Sequence, residues 1–373
     1  MPVNTAAWIN APYARLEVGP APYTPPADDQ IVVRNRAVAV NPLEWVIQVA
    51  GTVAYRWLKY PTVLGSDVAG EVVETGRAVT RFRPGMRVIG HAVGTDKDSN
   101  SAAEGGFQQY TVLLERMASP IPDTLAFEDA AVLPLGVSTA ACALFQDDQL
   151  GLRPPSLNPV PAGQTVLVWG GSTSVGSNAI QLAAAAGYEV ITTASPHNFE
   201  YVRLLGAAQV FDYNRPDVVP DIIAALEGRT LAGAIAIGTT SAPACVRIAG
   251  ASTGNRFVSI ASPPVSFASL GGSDRGRLEL PRLMLRFVSA NVALQVSARR
   301  RRVRTKFIFG TTLKANQVCD LVYRDFLPAA LAAGRYAAAP KPFVAGHGVP
   351  DIQQALDIQR KGVSAAKVVV SLP

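Results

Sequence analysis

The feature that most constrains the fold is a regular alternation of short apolar segments and helical segments that begins at Thr165. TVLVWGG (165–171) is predicted to be a buried strand, SNAIQLAAAAG (177–187) a helix ending at a glycine, and YEVITTAS (188–195) a second strand. A helix at 199–206 continues the pattern. Continuous apolar strands separated by helices are typical of parallel sheets that are covered on both faces. We therefore predict an α/β fold for this part of the chain.

A glycine-rich turn joins the first of these strands to its helix. Gly170 and Gly171 allow unusual backbone angles and a close approach to a pyrophosphate, and Gly176 lies at the start of the helix. Ser172 and Ser174 can add hydroxyl donors to the free N–H groups of the helix N-terminus. The spacing departs from the strict G-x-G-x-x-G pattern, so a purely structural turn is the alternative. The strand–turn–helix–strand context favours nucleotide binding.

The end of the second strand indicates which cofactor binds. NAD sites place an acidic residue there to hold the ribose 2′-hydroxyl. Here the residues Ser195–Asn198 contain no carboxylate, and Arg203 follows on the next helix. Polar donors can hold a 2′-phosphate, which a carboxylate would repel. We predict NADP(H) over NAD(H), with an ordinary hydrophilic turn as the alternative.

The rest of the chain is organised differently. Its first third is β-rich, and predicted strands there are 30–41, 68–76, 86–94 and 105–114. Other predicted features are a helix at 127–145, a proline-rich break at 151–163 and helices at 315–334 and 351–362. The closing strand AKVVVSL (366–372) is predicted to return to the β-rich part. Since 373 residues exceed what one core usually serves, we predict a discontinuous domain at 1–140 and 311–373, and an inserted nucleotide-binding domain at 141–310.

Composition excludes several classes of protein. Hydrophobic residues make up 49% of the chain and charged residues 17%, which excludes a largely disordered protein. A net charge of +6 is too modest to indicate nucleic acid at this length. Cys142, Cys245 and Cys319 are too scattered for a disulfide framework. The N-terminus lacks the pattern of a signal peptide, and no apolar run reaches the roughly 20 residues that span a bilayer. We predict a cytoplasmic protein without nucleic-acid or membrane partners.

Motifs along nearly the whole chain resemble those of the medium-chain dehydrogenase/reductase superfamily. The segments that carry the resemblance are NPLEW (41–45), YPTVLGSDVAGEVVETG (60–76), RFRPGMRVIG (81–90), GGFQQYTV (105–112), LPLGVSTAACALF (133–145), VLVWGGSTSVGSNAIQLA (166–183), TTASPHNFEYVRLLGA (192–207), VFDY (210–213) and VSAAKVVV (363–370). Within the superfamily the sequence is most similar to zinc-free, trans-acting enoyl reductases of fungal polyketide pathways, of the lovastatin-pathway type.

The resemblance implies an α/β protein with a GroES-like β-rich catalytic domain and a Rossmann domain with a doubly wound parallel sheet, and it implies NADPH as cofactor. The positions that match cofactor contacts of the family are Asn41, Pro42, Leu43, Glu44, Ser172, Thr173, Ser174, Val175, Ser195, Pro196, His197, Asn198, Tyr213, Ile260, Ala261, Val363 and Ser364. The positions that match its substrate or nicotinamide pocket are Thr139, Gly310 and Thr311.

Zinc is predicted to be absent. Catalytic zinc in this superfamily needs cysteine or histidine with a carboxylate, and its structural zinc needs four cysteines. NPLE contains no cysteine, GSDVAG contains no His-Glu pair, and three cysteines cannot form the four-cysteine site. His91, His197 and His347 are not at ligand spacing.

The sequence departs from the polyketide reductases at one motif. Those proteins usually carry N-P-x-D-x-K, with the lysine directed into the active site, whereas this chain has Glu44 and Val46 at the last two defined positions. A cation that could hold the cofactor ribose or polarise a substrate carbonyl is therefore missing there. Either another donor replaces it, or the site no longer performs the usual reduction.

The resemblance implies NADPH-dependent reduction of the C=C bond of an α,β-unsaturated acyl chain, a polyketide intermediate on a carrier protein. Hydride transfer to the β-carbon develops charge on the carbonyl oxygen, for which Thr139 and backbone N–H groups are candidate donors. Tyr55, Tyr60 or solvent supplies the proton to the α-carbon. A Thr139 hydroxyl bonded to its own helix turn is the alternative. Two other functions stay open: a quinone or small-enone reductase, and a non-redox cyclase, isomerase or binding protein.

A basic run precedes the segment FIFG. It contains Arg299–Arg302, Arg304 and Lys306. One hypothesis is a docking patch for an acidic acyl-carrier domain of a polyketide synthase. A solvated charged connection is the alternative, and nucleic-acid binding is less favoured because no aromatic platform accompanies the arginines. The preceding segment, 262–285, is predicted to be a mobile loop that leads into a helix and helps to shape the acyl pocket.

Overall fold

The structure is a computed structural model that describes residues 2–270 and 274–373. The chain divides into two compact units. The first comprises Met1–Leu135, Phe267–Leu278 and Tyr323–Pro373, and the second comprises Gly136–Ser266 and Glu279–Val322. The domain boundaries after residues 140 and 310 stay predictions.

The elements are numbered along the chain. The first unit begins with strands β1 (Asn4–Ile9), β2 (Leu16–Ala21), β3 (Gln30–Ala39), β4 (Thr62–Val63), β5 (Asp67–Thr75), β6 (Arg87–His91), β7 (Tyr110–Leu114) and β8 (Ala118–Pro120). The second contains β9 (Thr165–Trp169), β10 (Glu189–Ala194), β11 (Gln209–Asp212), β12 (Leu231–Ala236), β13 (Phe257–Ile260) and β14 (Arg304–Phe307). The last strands, in the first unit, are β15 (Lys341–His347) and β16 (Ala366–Ser371). The helices are α1 (Pro42–Ala54), α2 (Phe127–Ala130), α3 (Pro134–Phe145), α4 (Ser174–Ala185), α5 (Phe199–Leu204), α6 (Val218–Ala225), α7 (Ser241–Ala251), α8 (Asp274–Arg300), α9 (Gln317–Cys319), α10 (Leu327–Ala332) and α11 (Ile352–Lys361).

The first unit is β-rich, as the sequence predicts. One sheet has the order β2-β1-β4, and a larger sheet has the order β15-β16-β3-β5-β6-β8, with β7 paired to β3. The closing strand β16 pairs antiparallel with β3, and Val369 lies opposite Ala39. The predicted return of the chain end to the N-terminal part is therefore confirmed.

The second unit is built on a six-stranded sheet with the order β11-β10-β9-β12-β13-β14. Every pairing along this path is parallel. All five residues of β9 are buried, and apolar side chains such as Leu167, Ile222 and Val246 form one core between the sheet and its helices. The predicted parallel sheet is confirmed, and its strand order is that of a doubly wound Rossmann fold.

Three of the predicted elements are divided or shortened for a local reason. The predicted helix 127–145 is two helices, α2 and α3, because Pro134 has no amide hydrogen and takes the first position of a new helix. The predicted strand 105–114 is a continuous strand only from Tyr110 onward, since the Gln108 side chain binds the Gly105 carbonyl in a tight turn, and Gln108 itself forms only an isolated bridge with Ala6. The predicted helix 315–334 contains a 3₁₀ turn, α9, a π-helical segment (Asp320–Phe326) and α10, in which Pro328 cannot donate a helix hydrogen bond.

The segment predicted as a mobile loop is partly ordered by packing. Phe267 and Leu270 are buried. The Arg360 guanidinium, in the same unit, donates to the carbonyl of Ala268 at 2.7 Å and also to that of Leu270. Residues 271–273 of the predicted loop lie outside the described residues, and α8 begins at Asp274.

One apolar stretch satisfies the length and composition expected of a membrane span. It runs through residues 127–145, and 78% of it is buried inside the protein. A core helix of a folded protein passes the same test. This stretch contains α2 and α3, so it is accounted for as part of the protein core.

Candidate functional site

The glycine-rich turn is tighter than the sequence predicts. Strand β9 ends at Trp169, Gly170 has a φ of +89°, and α4 begins at Ser174, three residues before its predicted start. The Thr173 hydroxyl caps the helix by accepting from the amide of Gly176 at 3.0 Å. The helix N-terminus, with its free N–H groups, is therefore closer to the end of the strand than predicted.

Backbone packing around this turn excludes side chains. A Cβ on Gly171 would lie 2.1 Å from the Thr192 hydroxyl oxygen, and a Cβ on Gly176 would lie 2.2 Å from the Gly170 carbonyl oxygen. The Ser174 hydroxyl is buried yet has no hydrogen-bond partner among the described residues. A cradle of this kind with an unsatisfied donor at a helix N-terminus fits the pyrophosphate of a dinucleotide.

Further predicted cofactor residues lie at the same edge of the sheet. Ser195 follows β10, Tyr213 follows β11, and Ile260 with Ala261 ends β13. In parallel sheets, ligands bind outside the carboxyl ends of the strands. Ser195 and Tyr213 also touch, because their hydroxyl oxygens are 2.9 Å apart. The structure thus brings together predicted residues that are widely separated in sequence.

The structure adds an acidic residue at this edge that the sequence prediction missed. Asp212 lies beside Ala194 in the register of β10 and β11. Its carboxylate accepts from the backbone and side-chain amides of Asn214, both at 2.9 Å. Asp212 also lines a small cavity with Pro196 and Arg215. The signal available in the sequence was the acidic residue at the end of the segment VFD (210–212). This segment is the strand after the one at whose end NAD sites carry an acidic residue.

The predicted substrate residues Thr139, Gly310 and Thr311 all belong to the second unit. Thr139 is buried on α3, one turn before Cys142. The Cys142 sulfur lies 3.7 Å from the Gly310 carbonyl and 3.6 Å from the Thr312 hydroxyl. Burial raises the pKa of the Cys142 thiol to about 12, so the thiol stays protonated and packs against the segment that contains Gly310 and Thr312. The helix face that bears Thr139 therefore contacts the predicted 310–311 segment.

In the first unit, a buried polar cluster surrounds the predicted cofactor residues Asn41 and Glu44. The Asn41 side-chain amide donates to Asp67 at 2.9 Å, and its carbonyl oxygen accepts from the Lys367 ammonium. Lys367 also forms an ion pair with Asp67 at 2.8 Å. Asp67 further accepts from the amide of Leu135 at 2.5 Å. Glu44 accepts from the Asn41 amide at 2.7 Å, at the start of α1.

All four ionisable or amide side chains of this cluster are nearly inaccessible to solvent. Asp67 and Glu44 are fully buried, and Lys367 is 4% exposed. Burial, together with the charge of Asp67, raises the pKa of Glu44 to about 7. Burial also lowers the pKa of His91, which lies opposite Asp67 on β6, to about 4, so its imidazole is neutral. Asp67 and Lys367 form a neutral ion pair, and Glu44 keeps its proton below about pH 7.

Sequence reasoning missed Asp67 and Lys367. Asn41 and Lys367 are 326 residues apart along the chain, and only the pairing of β16 beside β3 brings them together. One signal was available, because a lysine in a strand as apolar as AKVVV is buried only when it has a partner. The predicted contacts Val363 and Ser364 immediately precede this strand.

The two candidate proton-donating tyrosines of the first unit differ in their surroundings. Burial, followed by the charges of Glu44 and Asp96, raises the pKa of Tyr55, whose ring lies against Trp57 at 5.0 Å. Burial also raises the pKa of Tyr60. The Tyr60 hydroxyl is buried without a hydrogen-bond partner among the described residues. Both phenols therefore stay protonated at neutral pH, and the Tyr60 hydroxyl is available to donate a hydrogen bond or a proton.

The residues of this unit do not fit a zinc site. Where zinc-dependent relatives need histidine and glutamate, the chain has Ser66 and Asp67, and the Asp67 carboxylate already accepts three hydrogen bonds. No group of three His, Cys, Asp or Glu side chains in residues 2–270 and 274–373 has the arrangement of a metal site.

The glycine-rich turn and the Rossmann strand order of the second unit, in a chain that also has a β-rich unit, are typical of nicotinamide-dependent oxidoreductases of two units. Residues 27–123 match the family described as Alcohol dehydrogenase GroES-like domain, and residues 174–299 match Zinc-binding dehydrogenase, whose members bind a nicotinamide cofactor. The chain belongs to the medium-chain dehydrogenase/reductase superfamily, with its GroES-like and Rossmann domains.

Individual relatives narrow the position of the chain within the superfamily. It is 52% identical to dehydrogenase pigH of Monascus ruber over all of both chains. It is 39% identical to trans-enoyl reductase himH of Aspergillus japonicus, over 99% of this chain and 98% of that one. A solved alcohol dehydrogenase superfamily protein from Novosphingobium aromaticivorans shares the fold, with a TM-score of 0.73, 24% identity and coverage of 99% and 100% of the two chains. The chain is therefore an enoyl-reductase-like oxidoreductase.

Proposed function

We propose that the protein reduces the C=C bond of an α,β-unsaturated acyl thioester with NADPH, and that the acyl chain is a polyketide intermediate carried on a synthase. The binding of a dinucleotide is supported by one observation. The backbone turn at Gly171 and Gly176 has no room for side chains, and the Ser174 hydroxyl beside it has no hydrogen-bond partner among the described residues. The substrate class is supported by relatives named as trans-enoyl reductases.

The residues that would hold the cofactor fall into three groups. The α4 N-terminus with Ser174 would bind the pyrophosphate, Ser195 and Tyr213 the adenosine ribose and its 2′-phosphate, and Asn41 the nicotinamide half. When bound, NADPH supplies a hydride to the β-carbon of the enoyl group. Thr139 would donate a hydrogen bond to the carbonyl oxygen as charge develops there, and Tyr60 would deliver the proton to the α-carbon.

Lys367 supports retention of the redox function despite Val46. The sequence lacks a lysine at position 46, but the structure has a buried ammonium on β16 that contacts Asn41. This ammonium fixes the Asn41 side chain through a neutral ion pair with Asp67. We propose that Lys367 keeps Asn41 in position for the cofactor without a lysine at position 46, and that the enzyme needs no zinc.

The reaction is tested by following NADPH absorbance at 340 nm with crotonyl-pantetheine, cyclohexenone and benzoquinone as separate substrates. We expect the thioester to be reduced with a kcat/KM at least tenfold above those of the two small substrates, because the thioester supplies binding contacts distant from the reacting carbons. Equal rates would favour the quinone or small-enone alternative. NADPH binding without oxidation by any acyl thioester would contradict the proposal and favour a non-redox function.

Cofactor choice is tested separately by fluorescence titration. Wild-type protein is expected to bind NADPH at least tenfold more tightly than NADH. Ser195→Asp should weaken NADPH binding about tenfold or more, because a carboxylate repels the 2′-phosphate and can bond the 2′-hydroxyl of NADH instead. Ser172→Asp, at the pyrophosphate turn, is the control and should weaken both cofactors alike. Equal affinities in the wild-type protein would contradict the choice of NADPH.

We further propose a reducing compartment, the cytoplasm, as the site of action. Cys142, Cys245 and Cys319 are all buried, and none of them forms a disulfide within the described residues. Three thiols in core positions are stable where glutathione and thioredoxin keep cysteines reduced.

A further inference from the structure

Helix α8 has a second apolar face that the core of its own unit does not cover. Leu283, Leu294 and Ala298 are buried toward the core. On another face the helix exposes four apolar side chains, with exposed fractions of 44–72%, at Leu285, Val288, Val292 and Val296. Their spacing of three and four residues aligns them in one stripe along the helix. A contiguous exposed stripe of this kind is typical of an interaction surface.

The arginine run continues this stripe at the helix C-terminus. Arg299 and Arg300 end α8, and Arg304 lies on β14. All three are exposed. Within the described ranges, no ion pair involves Arg299, Arg300 or Arg302. Lys306 differs, because it pairs with Asp148. We call the four apolar residues and Arg299, Arg300, Arg302 and Arg304 the α8 surface.

The backbone conformation of Arg302 supports a role for its side chain in binding a partner. Its φ of +56° lies in the left-handed region that favours glycine after a helix. The amide of Val303 bonds the Ala298 carbonyl at 2.9 Å, which closes the helix in the way a glycine usually allows. An arginine here is unfavourable for the backbone, and its charge forms no ion pair within the described chain. The described part of the fold therefore does not account for an arginine at this position.

Charge indicates what covers the α8 surface. Strand β14 is the edge of the parallel sheet, where a second copy could pair. Antiparallel pairing of two β14 strands would bring both basic runs, including Arg304 and Lys306, to one edge, and like charges oppose this. A partner that presents carboxylates beside an apolar ridge matches both the stripe and the arginines.

We propose that the α8 surface docks an acidic acyl-carrier domain, whose helices would set carboxylates against the arginines and apolar side chains against the stripe. This proposal rests on the proposed function, because the carrier would deliver the enoyl thioester. Opposite charges also accelerate encounter, by about 10- to 1,000-fold at low salt.

The test compares one acyl group in two forms, crotonyl-pantetheine and crotonyl loaded on the acyl-carrier domain of a fungal reducing polyketide synthase. We expect wild-type kcat/KM to be at least tenfold higher for the carrier form at 50 mM salt. Arg300→Glu should lower the carrier value about tenfold and leave the pantetheine value unchanged. Arg77→Glu, at an exposed arginine of the first unit that pairs with Asp28, is the charge-reversal control and should change neither.

Two further variants separate docking from folding. Arg302→Gly should raise the thermal midpoint by about 2 °C while it weakens carrier binding severalfold, measured by calorimetric titration of the carrier domain. Val292→Ser should weaken carrier binding without changing the midpoint. Binding in both variants equal to wild type would overturn the proposal, as would equal loss in Arg300→Glu and Arg77→Glu. Analytical ultracentrifugation tests a different occupant. If the wild-type protein is a dimer and Val292→Asp dissociates it, the surface binds a second copy of the chain and the proposal is overturned.

Failure of docking and failure of the proposed function give different results. If wild-type protein does not reduce crotonyl-pantetheine, the reductase function fails, and titration with the carrier domain still tests docking. If crotonyl-pantetheine is reduced but the carrier form is not preferred, the docking proposal alone is overturned.

Discussion

Replacement of Lys367 by methionine is expected to lower the free energy of unfolding by about 3–5 kcal/mol. Methionine fits the same volume but cannot neutralise Asp67, which is fully buried and 2.8 Å from the ammonium. It also leaves the Asn41 carbonyl oxygen without its donor. An uncompensated buried carboxylate is among the most destabilising single changes in a protein. Urea denaturation followed by circular dichroism measures the loss.

Two additional variants identify the cause of this loss. The double variant Lys367→Met/Asp67→Asn removes the unpaired charge and should be about 2 kcal/mol more stable than Lys367→Met alone. Lys341→Met changes an exposed lysine on the neighbouring strand β15 and should alter stability by less than about 0.5 kcal/mol. If the double variant is as unstable as Lys367→Met, the loss comes from packing and the ion pair is not its cause.

The same cluster illustrates what the sequence could not predict. The glycine-rich turn was predictable because the strand, Gly170 and helix α4 are contiguous, and local backbone geometry determines how they fold. The cluster depends instead on a β16–β3 pairing across almost the whole chain. Sequence reasoning placed the closing strand near the N-terminal part, but the register that sets Lys367 against Asn41 follows from packing of both sheet faces.

Differences in element bounds have the same origin. Ser174 begins α4 because the Thr173 hydroxyl caps it, and capping depends on geometry that periodicity does not encode. Asp212 lies at the edge of the predicted cofactor site because of the register of the neighbouring strand, which a rule based on one strand end overlooks. The exposed stripe on α8 was not predicted, because apolar residues at helical spacing do not show which face of the helix packs on the core.

Stability is expected to fall by about 3 kcal/mol as pH rises from 4.5 to 7, and Glu44 is the group responsible. Burial and the charge of Asp67 raise its pKa in the folded protein from 4.5 to about 7. Between these values the unfolded chain loses the proton while the folded protein keeps it. The folded state then binds more protons, so the free energy of unfolding decreases by about 1.4 kcal/mol per pH unit. The contribution is complete below pH 4.5 and lost above pH 7.

Glu44→Gln removes the titrating proton and keeps an oxygen that can accept from the Asn41 amide. Its unfolding free energy, measured by urea denaturation at intervals of half a pH unit, should vary less across this window than that of the wild-type protein. Glu17→Gln, on the exposed strand β2, should retain the wild-type slope. An unchanged slope in Glu44→Gln would assign the pH dependence to other groups. A flattened slope would show that the cluster holds two carboxylates against one ammonium by keeping a proton on Glu44.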